Sequence, residues 1–243
     1  MKHTIRGTTL PILDVQLEEG ESMYTESGGM AWMSTNIEME TNTRGGFMKG
    51  LARALSGESL FMTNYKCTKG TGVVSFCTEM PGQIVPMKLS SGKEIICQRD
   101  AFMAGTEGTD IKMEFVKKLG AGFFGGEGFF LQRLSGEGTI YLELSGEITE
   151  YDLKKGQTLR VDPGYIGAFE PTINYDIERV KGFKNMLFGG EGLFLATITG
   201  PGKVWLQSMP LANLAKKIAK YIPQKNSGGS GRRAGFNLDL GGI

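Results

Sequence analysis

Three Gly-Glu pairs recur along the chain, and their repetition marks them as the first candidates for chemistry. They are Gly57-Glu58, Gly126-Glu127 and Gly190-Glu191. Repeated carboxylates can serve as general acid and base or can ligate a cation. A residue that recurs in every copy of a repeat more often solves a backbone problem, such as accepting hydrogen bonds within a tight glycine turn. We therefore predict that these six residues form structural repeat turns and make no catalytic, cofactor or metal site.

A second pattern, Gly120-Ala-Gly122-Phe-Phe-Gly125, matches the glycine spacing of dinucleotide-binding loops. Such a loop needs a strand before it and a helix after it. The preceding segment FVKKL at 115–119 is not a clean buried strand, and the corresponding stretch at 182–189 does not keep the glycine spacing. We expect no bound cofactor here.

Nucleophilic schemes that need histidine have little support. His3 is the only histidine, and its place beside the N-terminus predicts a frayed position. The three cysteines, Cys67, Cys77 and Cys97, contain no C-x-x-C pair, which argues against a disulfide framework or a zinc site. Because Cys77 and Cys97 follow apolar residues, we expect buried, inert thiols. Since the common catalytic constellations need histidine, we expect that the protein is not an enzyme.

The elements that position these residues repeat three times. FGGEGFFL at 124–131 returns as FGGEGLFL at 188–195, with a degenerate SGESLFM at 56–62. Each copy opens on a leucine three residues before a glycine, at Leu17, Leu89 and Leu153, and a G-x-G turn follows each Gly-Glu pair. From the second copy to the third every marker moves by 64 residues, whereas the first leucine lies 72 residues before the second. Repeats of this length predict a supersecondary unit that buries its apolar face against its neighbours.

Composition limits the class of protein. The chain has 243 residues, 40% of them hydrophobic, and a net charge of +1, so no global charge favours nucleic acid or anionic lipid. No run approaches about 18 apolar residues, and the first residues lack the apolar core of a signal peptide. Together with the unpaired cysteines, these features predict a cytoplasmic protein.

Short β-branched runs separated by many of the 37 glycines indicate an all-β fold. We predict strands over 72–76, 139–144 and 203–207. Two segments have helical spacing instead, 44–56 and 210–222. The second carries Lys216, Lys217 and Lys220 on its polar face, and we expect its apolar face to pack on the β body, with binding to a membrane surface as the open alternative.

The tripled Gly-Glu-x-Leu/Phe-Phe pattern, the G-x-G turn after it and the leading L-x-x-G-E/Q phrase together resemble the AIM24 family, also called DUF124. The resemblance covers residues 1–222. It implies three tandem β-sandwich units similar to the subunit of the tryptophan RNA-binding attenuation protein (TRAP), of the short double-stranded β-helix type, with a C-terminal helix. The corresponding division is 1–86, 87–150 and 151–209 for the units, 210–222 for the helix and 223–243 for a flexible tail.

The resemblance also implies a homo-oligomer, and the oligomer associated with the family is a homotrimer. A fungal member of the family is linked to organisation of the mitochondrial inner membrane. We expect a non-enzymatic oligomeric scaffold or assembly factor whose protein partner is unknown. The alternative is a ring protein that binds a small ligand or nucleic acid. Nucleic acid is the less favoured ligand, because only Lys117, Lys118 and Arg133 lie near the aromatic residues of the second copy.

Overall fold

The computed structural model describes residues 1–26, 28–42, 62–117, 129–179, 194–219 and 221–222. Within them the chain forms strand β1 (Lys2–Arg6), three successive groups of six strands, and the C-terminal helix α1 (Leu211–Ala219). The first group is β2 (Ile12–Glu18), β3 (Ser22–Glu26), β4 (Met30–Met33), β5 (Ile37–Asn42), β6 (Met62–Cys67) and β7 (Thr71–Cys77). The second is β8 (Gly82–Leu89), β9 (Ile95–Gln98), β10 (Phe102–Thr106), β11 (Thr109–Lys117), β12 (Phe129–Gly136) and β13 (Gly138–Ser145). The third is β14 (Ile148–Leu153), β15 (Thr158–Val161), β16 (Ile166–Phe169), β17 (Asn174–Arg179), β18 (Phe194–Thr199) and β19 (Gly202–Gln207).

The same antiparallel pairing occurs in every group. The first strand pairs with the sixth, which also pairs with the third, as in β2·β7·β4, β8·β13·β10 and β14·β19·β16. The second strand pairs with the fifth, which also pairs with the fourth, as in β3·β6·β5, β9·β12·β11 and β15·β18·β17. Each group is therefore two three-stranded half-sheets.

Neighbouring groups join through one further strand pair. β3 pairs with β10, and β9 pairs with β16, so the second strand of one group meets the third strand of the next. This gives four sheets: sheet I (β1-β2-β7-β4), sheet II (β5-β6-β3-β10-β13-β8), sheet III (β11-β12-β9-β16-β19-β14) and sheet IV (β15-β18-β17). Sheets II and III have six strands because each combines half-sheets from two groups.

Three apolar layers lie between successive sheets. Leu13 and Val15 of sheet I pack with Tyr65 of sheet II in the first layer. Ile140 of sheet II and Leu134 of sheet III lie in the second layer, and the third layer lies between sheets III and IV. Sheets II and III are consequently buried on both faces, which explains why adjacent strand residues such as those at 95–97 are all buried.

The leading glycines are required by backbone geometry. Gly20, Gly92 and Gly156 occupy the turn between the first and second strand of each group, with φ of +85°, +78° and +79°. No atom lies within 4 Å of the place where a Cβ would stand at these glycines, so space does not select them. Positive φ does, because residues with a Cβ rarely adopt it.

The all-β prediction with a C-terminal helix is confirmed. The strands predicted at 72–76, 139–144 and 203–207 correspond to β7, β13 and β19. β8 and β14 span the predicted divisions at 86/87 and 150/151, and both the division and the TRAP-like character of the units stay predictions. The helix predicted over 44–56 and the tail from 223 onward lie outside the described residues.

Candidate functional site

The residues predicted as repeat turns cannot be placed in a site. Gly57, Glu58, Gly126, Glu127, Gly190 and Glu191 all lie outside the described residues, as does the glycine-rich stretch at 120–125. Their assignment to structural turns stays a prediction. Among the residues that the structure does describe, no group of three or more His, Cys, Asp or Glu side chains could hold a metal ion.

The thiols and the histidine take structural positions. Cys67 and Cys97 are buried, and burial, with the Glu26 carboxylate adding to it, raises the pKa of the Cys97 thiol, so this thiol stays protonated at neutral pH. Cys77 is only half-buried, and the expected full burial is wrong there because this residue ends its strand. His3 is not frayed: it lies in β1 and packs edge-on against Tyr141, with ring centroids 5.3 Å apart.

The junction between the first and second groups is densely packed and hydrogen-bonded. Tyr24 of β3 stacks on Phe102 of β10 with ring centroids 5.6 Å apart. Its hydroxyl lies 2.9 Å from the Thr109 hydroxyl, in a buried hydrogen bond. The Thr25 hydroxyl donates to the Met103 carbonyl oxygen across the same strand pair. This junction therefore resembles a protein core more than a contact between two separate bodies.

A partly buried polar pair, the buried Gln132 and the half-buried Glu26, borders this junction. The Gln132 side-chain amide donates to a Glu26 carboxylate oxygen at 2.6 Å. Burial raises the pKa of Glu26, although this hydrogen bond and the nearby Arg99 both oppose the change. The Gln132 Oε1 atom is buried without a hydrogen-bond partner among the described residues. The pair is a local cost to stability, since burying a carboxylate disfavours its charged form.

Arg133 is bound to two carboxylates. Its Nε and Nη2 atoms donate to Glu114 at 2.9 and 3.0 Å, and its Nη1 atom donates to Glu94 at 2.6 Å. These hydrogen bonds raise the pKa of the guanidinium. The arginine that the sequence places near the repeated aromatic residues is thus held by acidic neighbours, which weakens the idea that it stacks on a nucleotide base.

The clearest candidate surface consists of two strand edges, those of β4 and β15. Elsewhere in the chain the second strand of one group pairs with the third strand of the next group. β4 is a third strand and β15 is a second strand, and neither has such a partner among the described residues, so we call them the unmatched edges. In the described residues β4 pairs with β7 alone and β15 with β18 alone. Trp32 of β4 is 47% exposed, whereas Ala104 and Ala168 at the equivalent positions of β10 and β16 are 0% exposed.

β15 shows the same contrast. Val161 is half-buried, whereas the equivalent Thr25 of β3 and Cys97 of β9 are 2% and 0% exposed. Arg160 is exposed, and its equivalents Tyr24 and Ile96 are buried. Sequence reasoning missed both edges, although the repeat contains the signal: Trp32, Ala104 and Ala168 each follow the leading leucine of their copy by 15 residues.

Where the third and sixth strands of a group pair, a small side chain on one strand faces a large side chain on the other. Ala104 faces Tyr141, and Ala168 faces Trp205. In the first group the order is reversed, with Trp32 facing the fully buried Ser75. Each facing pair thus combines one small side chain with one large aromatic side chain, and the volume filled at the three positions is similar. The exposed indole therefore has the size expected of a core residue.

Helix α1 exposes much of its apolar face. Leu211 and Ile218 are 47% and 52% exposed, while Leu214 is half-buried. The expectation that this face packs on the β body is wrong for Leu211 and Ile218, which are about half exposed. Tyr221 and Ile222, which follow the helix, are also exposed. None of the helices in the described part of the chain is long and apolar enough to span a bilayer.

Comparison with known proteins matches residues 3–209 to the family model described as mitochondrial biogenesis AIM24. The chain belongs to the AIM24 family. An uncharacterized protein of Streptococcus pyogenes serotype M6 is a relative with 30% identity over 236 residues, which cover 93% of each chain. The AIM24 fold of this chain is also similar to the crystal structure of a Streptococcus pyogenes protein, with a TM-score of 0.73 and 29% identity over 91% of this chain and 99% of that one.

Proposed function

We propose that this AIM24-family protein is a non-enzymatic, oligomeric scaffold or assembly factor. The observation that supports the proposal is the pair of unmatched edges, β4 and β15, whose equivalents elsewhere in the chain join one group of strands to the next. A chain built by edge-to-edge joining, in which one edge of each kind stays unjoined among the described residues, is suited to continue the joining with other chains.

The proposed assembly is a homotrimer, as the family resemblance implies. Trp32 supports self-association, because a half-exposed aromatic side chain at a position whose equivalents are buried is typical of an interface anchor. The product of the assembly is a surface on which other molecules gather, and no chemical step is assigned to it.

Native mass spectrometry of the full chain, purified from its own host, tests this function. We expect a species with the mass of three chains and no additional mass. A monomer at micromolar concentration would contradict the proposal. Additional mass that is lost on denaturation would contradict a pure scaffold and favour the alternative, a ring that binds a small ligand or nucleic acid.

Peripheral membrane contact is a second candidate function, and the exposed apolar face of α1 favours it. Leu211 and Ile218 are available for insertion between headgroups, and Lys217 is exposed on the same short helix. Flotation with vesicles of anionic and of neutral lipid tests it. We expect binding to anionic vesicles that Ile218→Ser weakens and that Ala215→Ser, an exposed substitution in the same helix, leaves unchanged. Equal flotation of the wild-type chain and Ile218→Ser would contradict it.

A further inference from the structure

We infer that β15 of one copy of this chain pairs antiparallel with β4 of a second copy, in one defined register, and so completes between the two chains the six-strand order of sheets II and III, with β1 as an added outer strand. The inference rests on the proposed oligomeric function and names its interface. The contact is heterologous, since two different edges meet, and the proposed homotrimer requires three such contacts to close into a ring.

The strand inventory carries the first step. Sheet IV ends at β15 and consists of the second, fourth and fifth strands of the third group. Sheet I ends at β4 and, apart from the added β1, consists of the first, third and sixth strands of the first group. Joined at these ends, they give the order β17-β18-β15-β4-β7-β2. That order repeats the one in sheets II and III strand for strand.

The register follows from the two internal junctions. At β3·β10, Tyr24 lies opposite Gly105, and at β9·β16, Ile96 lies opposite Phe169. The leading leucines make Arg160 the equivalent of the first member of each pair, and Met33 the equivalent of the second. The intermolecular pair is therefore Met33 opposite Arg160. Trp32 then lies opposite Val161, because antiparallel registers change by one residue on each strand.

Packing supports the same register. Val161 already packs at the margin of the third apolar layer. Its equivalent Cys97 lies opposite Ala168, which faces Trp205 across the other strand. In the joined sheet Trp32 would lie beside Val161. At the internal junctions the large aromatic side chain comes from the sixth strand, but in the first group the sixth-strand residue that faces Trp32 is the small Ser75, so Trp32 itself supplies the large side chain. The indole of Trp32 would thereby pack against the third apolar layer of the other chain, next to Val161.

Neither edge carries a strong barrier to pairing. Proline is absent from the β4 sequence MAWM and the β15 sequence TLRV, and Arg160 is the single charged residue of the two. β4 contains a bulge between Met30 and Trp32, a common way to protect an edge. The corresponding bulges in β10 and β16 lie in strands that do pair with the neighbouring group, so the bulge is compatible with the junction.

Disulfide trapping in the full chain tests the interface. Two double variants place cysteines at directly opposed positions, Trp32→Cys with Val161→Cys and Met33→Cys with Arg160→Cys, in a Cys77→Ser background that removes the half-buried native thiol. One of the two pairs is the closer, non-hydrogen-bonded kind, with Cα atoms about 4.5 Å apart, within disulfide reach. The control, Trp32→Cys with Leu159→Cys, is displaced by two residues, to about 7–8 Å.

We expect covalent dimers and higher species on a non-reducing gel for at least one opposed pair, and a single-chain band for the control and for each single cysteine. Native mass spectrometry of the Cys77→Ser background runs in parallel. An oligomeric mass without cross-linking of either opposed pair overturns the edge pairing while the scaffold stands. A cross-link confined within one chain also overturns it. A monomeric mass removes the scaffold and the interface together.

Discussion

Truncation of Trp32 separates an interface residue from a folding residue. The side chain is 47% exposed in the single chain, so about half of its surface is buried by the isolated fold and about half is available to a second chain. If β15 of a second chain covers that exposed part, Trp32→Ala removes about 120 Å² of interface burial, taking about 250 Å² for a whole tryptophan side chain. At about 25 cal/mol per Å², the loss is about 3 kcal/mol for each contact, or about a 100-fold weaker association constant.

Alanine is also a geometrically acceptable residue at this position. Ala104 and Ala168 occupy the equivalent places in the internal junctions, so the variant introduces no clash. The expected defect is lost burial against the small Ser75, which leaves part of the interface unfilled. A void beside Ser75 would add to the lost transfer free energy.

The assay is sedimentation equilibrium over a range of concentrations, paired with urea denaturation under conditions where the chain is monomeric. The matched control is Met39→Ala on β5, which removes an apolar side chain of similar exposure, 51%, away from both edges. We expect weaker association for Trp32→Ala and unchanged association for Met39→Ala. An association constant within about twofold of wild type for Trp32→Ala would refute the reasoning, and so would an equal loss in both variants.

Three further predictions concern the fold. Glu26→Gln should raise the free energy of unfolding at pH 7 and not at pH 4. Burial raises the folded-state pKa of Glu26 above the usual 4.5, so the native state binds more protons than the unfolded state just above pH 4.5, and wild-type stability falls as the pH rises through that window. Urea titrations at several pH values measure this difference. Tyr24→Phe should lower the free energy of unfolding by about 1–2 kcal/mol, measured in urea, because it removes the buried hydrogen bond to Thr109. Gly82→Ala should cost about 3 kcal/mol and lower the Tm, because the new Cβ would stand 2.1 Å from a backbone carbonyl oxygen of β13.

Two of these predictions have a matched control, and all three have a contrary outcome. The control for Glu26→Gln is Glu40→Gln, which changes an exposed carboxylate. A stability difference for Glu26→Gln that is the same at every pH would contradict the burial argument. The control for Tyr24→Phe is Tyr151→Phe, which alters an exposed tyrosine. An equal loss of unfolding free energy in both variants would contradict a stabilising role for the hydrogen bond between Tyr24 and Thr109. A Gly82→Ala protein with wild-type Tm would show that β8 and β13 separate easily at that point.

Local features of the fold could be predicted from the sequence. The runs that became β7, β13 and β19 have β-branched residues bounded by glycines, and strand propensity and turn chemistry act over a few residues. The leading glycines could likewise be assigned to turns. Helix α1 was predicted from its periodicity, but periodicity shows which residues share a face and does not show whether that face is covered, and Ile218 is exposed.

The candidate interface could not be predicted in the same way, because it depends on which strands pair across the chain. β3 and β10 are far apart in sequence, and no local property states that they are partners. The importance of Trp32 appears only when its equivalents are seen to be buried at junctions. The Gly-Glu pairs are similar in all copies and are therefore visible in the sequence, whereas the interface depends on a position at which the copies differ.

Amide hydrogen exchange of the intact oligomer, resolved to single residues, tests the central claim most directly, namely that β4 and β15 are joined between chains. The account predicts that, in the assembled protein, the amides of 30–33 and 158–161 that point away from β7 and β18 exchange as slowly as the amides that join β10 to β3 and β9 to β16. The same amides should exchange faster on dilution to monomer. Rapid exchange at both edges in a protein with an oligomeric mass would contradict the account and would place the contact between chains elsewhere.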